Sequence, residues 1–537
     1  MLPCLLFEDE HLLVVNKPAG INTHAPGPYA GEGIYDWLRH REQCWSNLAI
    51  IHRLDKETSG VILFSKTALA NKALTQQFTQ RSVRKKYVFL TDQPPPRKEF
   101  VVESVLVRLG DKYSSRRGAA AGQPAVTRFQ LSKAPPGDSV PGVSNTHWIE
   151  AEPLTGRTHQ IRSHAAENGF PILGDQLYGG TPAPRVFLHA SELAIRHPVS
   201  NQIVTFKCPP AFQADPRAVL RSALIDQSET DAYRVYHGAS DGWPGWYVDR
   251  VGDHLLSQSD HALKQTELDE LARLVQIAGA VGASQKHVTR SSTQKSLTES
   301  SPRQLVGRPA PDRSLIRENG LRFELSFAEG CSIGLFFDQR DNRRRLLAHH
   351  IAADFPVFAR NAANVRALNT FAYTCGFSVC AAKAGAHTTN LDLSKKYLDW
   401  GRRNFELNGL NTKAHEFIYG DVFDWLPRLA RKQRCYDLIL LDPPTFSQSK
   451  ESGVFRAEKD YGKLVHLALP LLERGGVLFA STNAADWPAE KFAHVIDSAI
   501  RSARRTILQS HYFPQPPDFP ISRAEPAYLK TVWLRIA

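Results

Sequence analysis

The 537-residue sequence has only seven cysteines, and they form no Cys-x-x-Cys pair and no Cys/His spacing suited to zinc. A metal centre and a disulfide framework are both disfavoured, and a reducing cytosol fits this usage. No apolar run approaches the roughly 20 residues needed to cross a bilayer. The short apolar start, Met1 to Leu6, runs into Glu8-Asp9-Glu10 without a basic segment before it or a cleavage-like tract after it, which speaks against a secretory leader. Internal repeats are absent too. What remains is ordinary globular material, 42% hydrophobic and 22% charged, long enough for three domains at roughly 150 residues each. The imbalance is in charge. A formal +12 favours an anionic partner, and a cluster such as Arg81 to Lys86 makes its binding salt-dependent, although charge alone describes a solvated basic surface equally well.

Residues 1–212 mix short β-patterned runs with turn clusters, for example Leu12 to Val15 followed by Asn16-Lys17-Pro18-Ala19-Gly20. They read as an α+β domain, mainly β, on a mixed antiparallel sheet. A helix is expected over Ala68 to Gln80, where Leu69, Ala73, Leu74 and Phe78 recur at helical spacing and form a core face. Residues 213–312 hold a small α+β module, with Asp241-Gly242-Trp243-Pro244-Gly245-Trp246 as turn chemistry between strands. Its tail, Gln285 to Arg313, is polar and basic, with Lys286, Arg290, Lys295, Arg303, Arg308 and Arg313 among Ser, Thr and Pro, and reads as a loop or linker. Over 313–537 strands and helices alternate: Val365 to Leu368, Ser378 to Lys383, Thr388 to Leu391, Ser394 to Asn408, Asp437 to Leu441, Val477 to Ala480. That alternation predicts a doubly wound, Rossmann-like α/β domain.

The stretch His52-Arg53-Leu54-Asp55-Lys56-Glu57-Thr58-Ser59-Gly60 places a carboxylate among cations just ahead of an apolar strand, Val61 to Phe64. Positive charge keeps Asp55 ionised, and a positioned carboxylate attacks an electrophilic carbon or holds developing positive charge. Tyr87 follows Lys85-Lys86 at the start of a strand, where its ring can stack on a base. Leu154-Thr155-Gly156-Arg157-Thr158-His159-Gln160-Ile161-Arg162 supplies a turn and then cations, and Gly169-Phe170-Pro171-Ile172-Leu173-Gly174-Asp175 comes next. Singly, an Arg-Leu-Asp triplet is usually a surface pair and a strand-start Tyr is usually core. In this order, over about the first two hundred residues, they resemble the RluA-type pseudouridine synthases, which isomerise uridines in ribosomal and transfer RNA.

That resemblance implies roles residue by residue. Asp55 is the catalytic aspartate at the ribose end of the glycosidic bond, and Tyr87 the tyrosine that packs on the base and assists proton removal. Arg162 pairs with the aspartate, and Arg53 enters the helix when the uridine flips. His52, Arg157 and His159 fall in the same motifs and are expected at the RNA. The bond to be broken lies in a stacked strand, so the nucleotide must leave its stack for a pocket; neither metal nor cofactor is implied. The chain departs from the family in starting directly at Phe7-Glu8-Asp9-Glu10, without the small RNA-binding domain many members carry, and in having Gln123 where Lys is common.

Ala367-Leu368-Asn369-Thr370-Phe371-Ala372-Tyr373-Thr374-Cys375-Gly376 is a strand running into a tight loop, and Asp392 ends the next strand, a pairing suited to a nucleoside. The loop is not Gly-x-Gly-x-x-Gly and cannot cradle a pyrophosphate, whereas S-adenosylmethionine has no phosphate and needs no cradle. Asp392 then accepts the ribose hydroxyls, and Asp421 sits by the adenine amine. Leu441-Asp442-Pro443-Pro444-Thr445-Phe446 follows the run Asp437 to Leu440, as methyl transfer to a nucleobase requires. Together Gly334-Leu335-Phe336-Phe337-Asp338-Gln339-Arg340, Leu391-Asp392-Leu393-Ser394 and Asp442 to Lys450 resemble the RlmI/RlmK-type methyltransferases of large-subunit ribosomal RNA, and Asp241 to Arg250 resembles their central module. The resemblance implies S-adenosylmethionine held by Gln339, Arg340, Asn369, Tyr373, Thr374, Gly376, Asp392, Asp421, Asp442 and Pro443. Asp442 also serves catalysis by holding the base edge, with Phe446 stacking on it. The PUA domain of some members is missing, and Cys375 stands where the family has Gly.

Methylating carbon 5 of cytosine requires a thiolate to add to the ring, and the loop after Val477 to Ala480 reads Ser481-Thr482-Asn483, without cysteine. A ring nitrogen such as guanine N7 needs only alignment with the sulfonium methyl, and the same loop resembles the guanine-N7 branch. The sequence thus reads as a cytoplasmic, bifunctional RNA-modifying enzyme whose partner is RNA, 23S ribosomal RNA foremost. Its rivals are cytosine C5 or exocyclic-amine methylation on the same folds, and a ribosome-assembly RNA-binding protein with retired sites.

Overall fold

The computed structural model describes residues 2–116, 122–133, 145–287, 302–329, 332–358, 365–449 and 453–537. The chain divides into two compact units: Met1–His24, Gly33–Asp36 and Asn47–Asp226 form the first, and Ala25–Glu32, Trp37–Ser46 and Gln227–Ala537 the second. No helix among the described residues is long and apolar enough to cross a membrane.

The first unit is built on one sheet. Its strands are β1 (Leu5–Glu8), β2 (Leu12–Lys17), β3 (Ala49–Ile50), β4 (Ser59–Ser65), β5 (Arg84–Thr91), β6 (Glu99–Leu109), β7 (Lys112–Arg116), β8 (Gln123–Ser132), β9 (His147–Pro153), β10 (Leu188–Arg196) and β11 (Ile203–Lys207). The order is β1-β2-β4-β10-β5-β9-β8-β6-β7, with β3 on β4 and β11 on β10. Among these pairings only β4 with β10 is parallel, so the sheet is the mixed, mainly antiparallel one expected. β4 is buried at all seven positions, as a central strand must be. Gly60, which closes the Asp55 motif, has φ +116° and a Cβ there would collide with Ala190 O. Only glycine lets the chain leave the Asp55 loop and pair with β10 at once.

The helix expected near residue 70 runs over Ala68–Thr79, capped by Thr67, whose hydroxyl accepts from Ala70 N. Its buried stripe differs from the expected face: Ala70 and Leu74 are sealed, while Leu69 is 55% exposed. One residue is about 100° of rotation, enough to turn Leu69 to solvent. The helix Pro216–Leu224 belongs to this unit as well, since Cys4 N donates to Ala223 O at 3.0 Å, and the unit continues past residue 212 to Asp226.

The second unit begins with a five-stranded sheet, β12 (Ala232–His237), β13 (Trp246–Val251), β14 (His254–Ser259), β15 (Gly282–His287) and β16 (Arg303–Gly307), in that order. The turn chemistry of Asp241 to Trp246 lies between β12 and β13, as expected. The linker expectation needs correcting: Gln285–His287 and Arg303–Gly307 are strand residues in β15 and β16. Their polar composition mimics a loop because the last strand of the sheet exposes most of its side chains. Arg290 and Lys295 lie outside the described residues. A hairpin follows, β17 (Ser314–Glu318) with β18 (Leu321–Leu325).

Next comes a seven-stranded sheet: β19 (Arg366–Thr370), β20 (His387–Asp392), β21 (Glu416–Tyr419), β22 (Tyr436–Leu441), and, beyond a short ribbon of β23 (Phe446–Ser449) and β24 (Gly453–Arg456), β25 (Leu472–Thr482), β26 (Ile507–Phe513) and β27 (Lys530–Ile536). Its order is β21-β20-β19-β22-β25-β27-β26, with β27 antiparallel to both its neighbours. Both faces are covered: Leu438, Leu440 and Phe479 join one core, and Ile439, Leu441 and Leu478 the other. This is the doubly wound sheet expected, and its strand order reverses between β19 and β22. Ligands of such sheets bind at the carboxyl ends of the strands flanking that point.

Candidate active sites

In the first unit, Asp55 occupies the turn before β4, where Thr58 N donates to Asp55 O at 3.2 Å. Its side chain is 27% exposed. Facing it is Arg162, 4% exposed, on the helix Gln160–Glu167. Arg162 donates through Nε and Nη2 to Asp175 at 2.6 and 2.8 Å, and its remaining nitrogen, Nη1, lies 3.4 Å from Asp55 Oδ2 and 3.7 Å from Glu57. The forked bond to Asp175 fixes the guanidinium plane and turns one edge toward Asp55. Burial opposes the charge on Arg162, but Asp175, Asp55 and Glu57 outweigh it and hold it charged. Asp175 was expected only as part of a motif, and its partnership with Arg162 spans a separation that periodicity cannot show.

Gln160, buried and absent from the expected set, sets the start of that helix. Its Oε1 accepts from Thr155 Oγ1 at 2.7 Å and Arg157 N at 3.0 Å, and its Nε2 donates to Val126 O and Thr127 Oγ1. His159 sits at φ +54° beside it. Tyr178 OH, which accepts from Tyr113 N at 2.8 Å, lies 2.9 Å from His159 Nδ1. Burial pulls the His159 pKa down against the pull of Asp55. A neutral ring accepting at Nδ1 presents Nε2–H toward Asp55 Oδ2, 3.8 Å away.

Tyr87 pairs with Ala190 of β10, the residue that also pairs with Gly60, so its ring shares a sheet face with the entry to β4. Burial first and Asp55 second push its hydroxyl pKa up. It is a phenol at neutral pH, suited to packing on a base. Lys17, in the turn cluster noted from sequence, is fully buried and donates to Pro18 O, Ile21 O and Lys56 O at 3.0, 2.8 and 3.3 Å. Three acceptors match the three donors of an ammonium and tether the backbone next to Asp55, although burial pushes its pKa down to about 7. Arg53 is exposed, and Arg157 Nε donates to Pro124 O at 3.2 Å. His52, expected at the RNA, is engaged within the fold. Its ring stacks on Phe78 at 4.9 Å, its Nε2 accepts from Leu63 N at 3.1 Å, and burial pushes its pKa down to about 3, so it packs against the fold as a neutral ring.

In the second unit the expected residues gather at the carboxyl ends of β19, β20 and β22. The loop after β19 carries three non-glycine residues at positive φ: Phe371 at +53°, Tyr373 at +47° and Cys375 at +62°. Strain of this kind persists where function needs the backbone bent aside, and Cys375 occupies a conformation that glycine adopts without cost. Asp392 accepts from Tyr373 N and Ser394 N, both at 2.8 Å. One amide per carboxylate oxygen leaves further lone pairs for a ribose diol, which fits the nucleoside half of S-adenosylmethionine. Burial pushes the Asp392 pKa up and these amides pull it back.

Asp442 follows β22. Gln339 Nε2 lies 3.3 Å from each of its oxygens and donates to Ser481 Oγ at 2.8 Å, while Gln339 Oε1 accepts from Asn342 at 2.7 Å. Gln339 is thus placed beside the Asp442 carboxylate. Burial pushes the Asp442 pKa up to about 6, with Ser481 pulling it down and Asp338 adding to the rise. Tyr461, fully buried and unforeseen, clasps the two strand ends. Its hydroxyl accepts from Ser481 N at 2.8 Å and lies 2.9 Å from Leu441 O and 3.0 Å from Ser481 O.

Four of the residues expected at the cofactor also make contacts within the fold. Arg340 is held in a buried pair with Asp518, at 2.9 Å through Nη1. Buried Asn369 donates to Ser378 Oγ at 2.8 Å, and the Thr374 hydroxyl, also buried, donates to Gly334 O. Asp421 caps the helix Val422–Arg431 by accepting from Phe423 N at 2.7 Å. These contacts orient each side chain within the fold. Gly376 opens the helix Gly376–Lys383, Pro443 is buried, and Phe446 is 56% exposed. Lys450 lies outside the described residues. No group of three or more His, Cys, Asp or Glu able to hold a metal occurs among the described residues.

Comparison with known proteins matches each half separately. The family described as RNA pseudouridylate synthase matches residues 11–167, and the family described as S-adenosylmethionine-dependent methyltransferase matches residues 233–535. A ribosomal RNA large subunit methyltransferase of Deinococcus radiodurans is 34% identical over 328 residues, 60% of this chain and 76% of that protein. Ribosomal RNA large subunit methyltransferase K of Neisseria meningitidis is 34% identical, over 47% of this chain and 69% of its own. An uncharacterized RNA pseudouridine synthase of Bacillus subtilis is 34% identical over 225 residues, 41% of this chain and 71% of that protein.

Proposed function

Because the chain belongs to the S-adenosylmethionine-dependent methyltransferases and carries an RNA pseudouridylate synthase domain ahead of that region, we propose that it acts on large-subunit ribosomal RNA, isomerising a uridine through Asp55 and methylating a guanine at N7 beside Asp442. The relatives named for large-subunit ribosomal RNA support the substrate, and such a substrate places the protein in the cytoplasm.

For the isomerisation, the supporting observation is Arg162, pinned by Asp175 and presenting its free edge to Asp55. A buried guanidinium at that distance holds the carboxylate in place while the sugar-to-uracil N1 bond breaks and the bond to C5 forms. Tyr87 packs on the extruded base, and exposed Arg53 fills the gap left in the stack.

For the methyl target, the supporting observation is the end of β25, which offers Ser481 and Asn483 and no thiol. Of the nearby cysteines, Cys375 and Cys380 are sealed in the core with pKa values raised by burial, so neither supplies the thiolate that C5 methylation needs. S-adenosylmethionine supplies an electrophilic methyl; the chain's part is to hold the donor at Asp392 and the base edge at Asp442, with Phe446 on the base face. Exocyclic-amine methylation has one observation in its favour, the acceptor character of Asp442. Nucleoside mass spectrometry of RNA treated with the protein tests the assignment. Pseudouridine together with 7-methylguanosine supports it, and 5-methylcytosine or a methylated amine overturns the guanine-N7 half.

A further inference from the structure

Gly334 to Gln339 bridges the two carboxylates of the methyltransferase site and is fastened at both ends. At one end the Thr374 hydroxyl donates to Gly334 O, in the loop whose Tyr373 amide holds Asp392 at 2.8 Å. At the other, Gln339 Nε2 lies 3.3 Å from both oxygens of Asp442. Between them Leu335 and Phe337 are buried, and Phe336 O accepts from Arg343 Nη2 at 2.7 Å and Gln339 N at 3.2 Å. Arg343 is itself locked to buried Glu318.

The backbone of Phe336 is therefore fixed, yet its ring is 48% exposed. Its one ring contact among the described residues is Tyr373, 5.6 Å away and tilted 45°. Tyr373 in turn meets Tyr397 edge-on at 4.6 Å, so an aromatic wall runs back from Phe336 along the Asp392 side. Single exposed apolar side chains are common on proteins. This one differs in being mounted on a fastened segment whose one end meets the loop that holds Asp392 and whose other end meets Asp442.

We propose that Phe336 is a specificity-determining residue for the cofactor, its ring face lying against the positively charged sulfur of S-adenosylmethionine. The inference rests on the reading that Asp392 and Asp442 flank the cofactor. A donor with its ribose at Asp392 and its methyl directed at Asp442 has its sulfur between them, and an aromatic face attracts a cation. The spent product, S-adenosylhomocysteine, carries a neutral thioether at the same place. The ring therefore favours donor over product, which limits product inhibition.

Isothermal calorimetry on the full-length protein tests this with S-adenosylmethionine and S-adenosylhomocysteine as separate titrants. Phe336→Leu keeps apolar bulk and removes the ring. It is expected to weaken S-adenosylmethionine about tenfold and S-adenosylhomocysteine by less than about threefold, while Phe336→Tyr leaves both near the parent values. Equal losses for the two ligands, or no loss for S-adenosylmethionine, overturn the proposal. Weaker RNA binding with both titrants unchanged also overturns it, by assigning the ring to the target base. Asp392→Ala separates this from the underlying reading: if that variant still binds both titrants normally, the placement of the cofactor itself is wrong.

Discussion

The two carboxylates proposed to act in the two reactions live in opposite surroundings. Asp55 faces a guanidinium, and Asp442 is half-buried, with desolvation first and the Asp338 carboxylate after it pushing its pKa up to about 6. If Asp442 holds the base edge as an acceptor, methyl transfer rises with pH through about 6 with a one-proton slope, while a flat rate from pH 5 to 8 contradicts that role. The sign for stability is the reverse. A carboxyl whose folded pKa lies above its ordinary 3.8 binds its proton more tightly in the folded state, and ionising it costs stability as pH rises through that window. Asp442→Asn should therefore abolish methyl incorporation and leave the Tm equal or slightly higher at pH 7.5; a marked fall in Tm shows that the carboxylate is structural. Asp55, Tyr87 and Arg162 were legible because the motif quotes them directly. Asp175, Tyr178 and Gln160 were not, because their value lies in partners across the fold. The fold contacts of Arg340 and His52 were hidden for the same reason: a motif letter does not say whether its charge is already paired or its ring already stacked.

Strands β4, β22 and β25 were legible because they are largely buried and read as apolar runs, and the alternation of strand and helix after residue 365 pointed to a doubly wound sheet, though not to its order or to the antiparallel β27. β15 and β16 were hidden because their polar side chains copy the composition of a linker. The clasp between β22 and β25 was hidden too, since Tyr461 lies 20 residues from each of the groups it joins. Tyr461→Phe removes one buried hydroxyl and leaves Ser481 N and Leu441 O short of a partner, at a cost of about 1–3 kcal/mol. In denaturant titration the methyltransferase unit should lose stability by that order, and the maximal rate of methylation should fall with pseudouridine formation unchanged. An unaltered methylation rate with the same loss of stability means that the clasp holds the fold without positioning Asp442 and Ser481.

The residues proposed for the two reactions fall in different compact units, Asp55 and Arg162 in the first and Asp392, Gln339 and Asp442 in the second. A chain with a formal charge of +12 should hold RNA by phosphate contacts, with affinity falling steeply as salt rises. Either chemistry can then be removed without the other. The most direct test is nucleoside mass spectrometry of unmodified ribosomal RNA incubated with S-adenosylmethionine and the parent chain, Asp55→Asn or Asp442→Ala. The parent should yield pseudouridine and a methylated base, Asp55→Asn only the methylated base, and Asp442→Ala only pseudouridine. Pseudouridine formed at the parental level by Asp55→Asn, or methylation untouched by Asp442→Ala, would contradict the account.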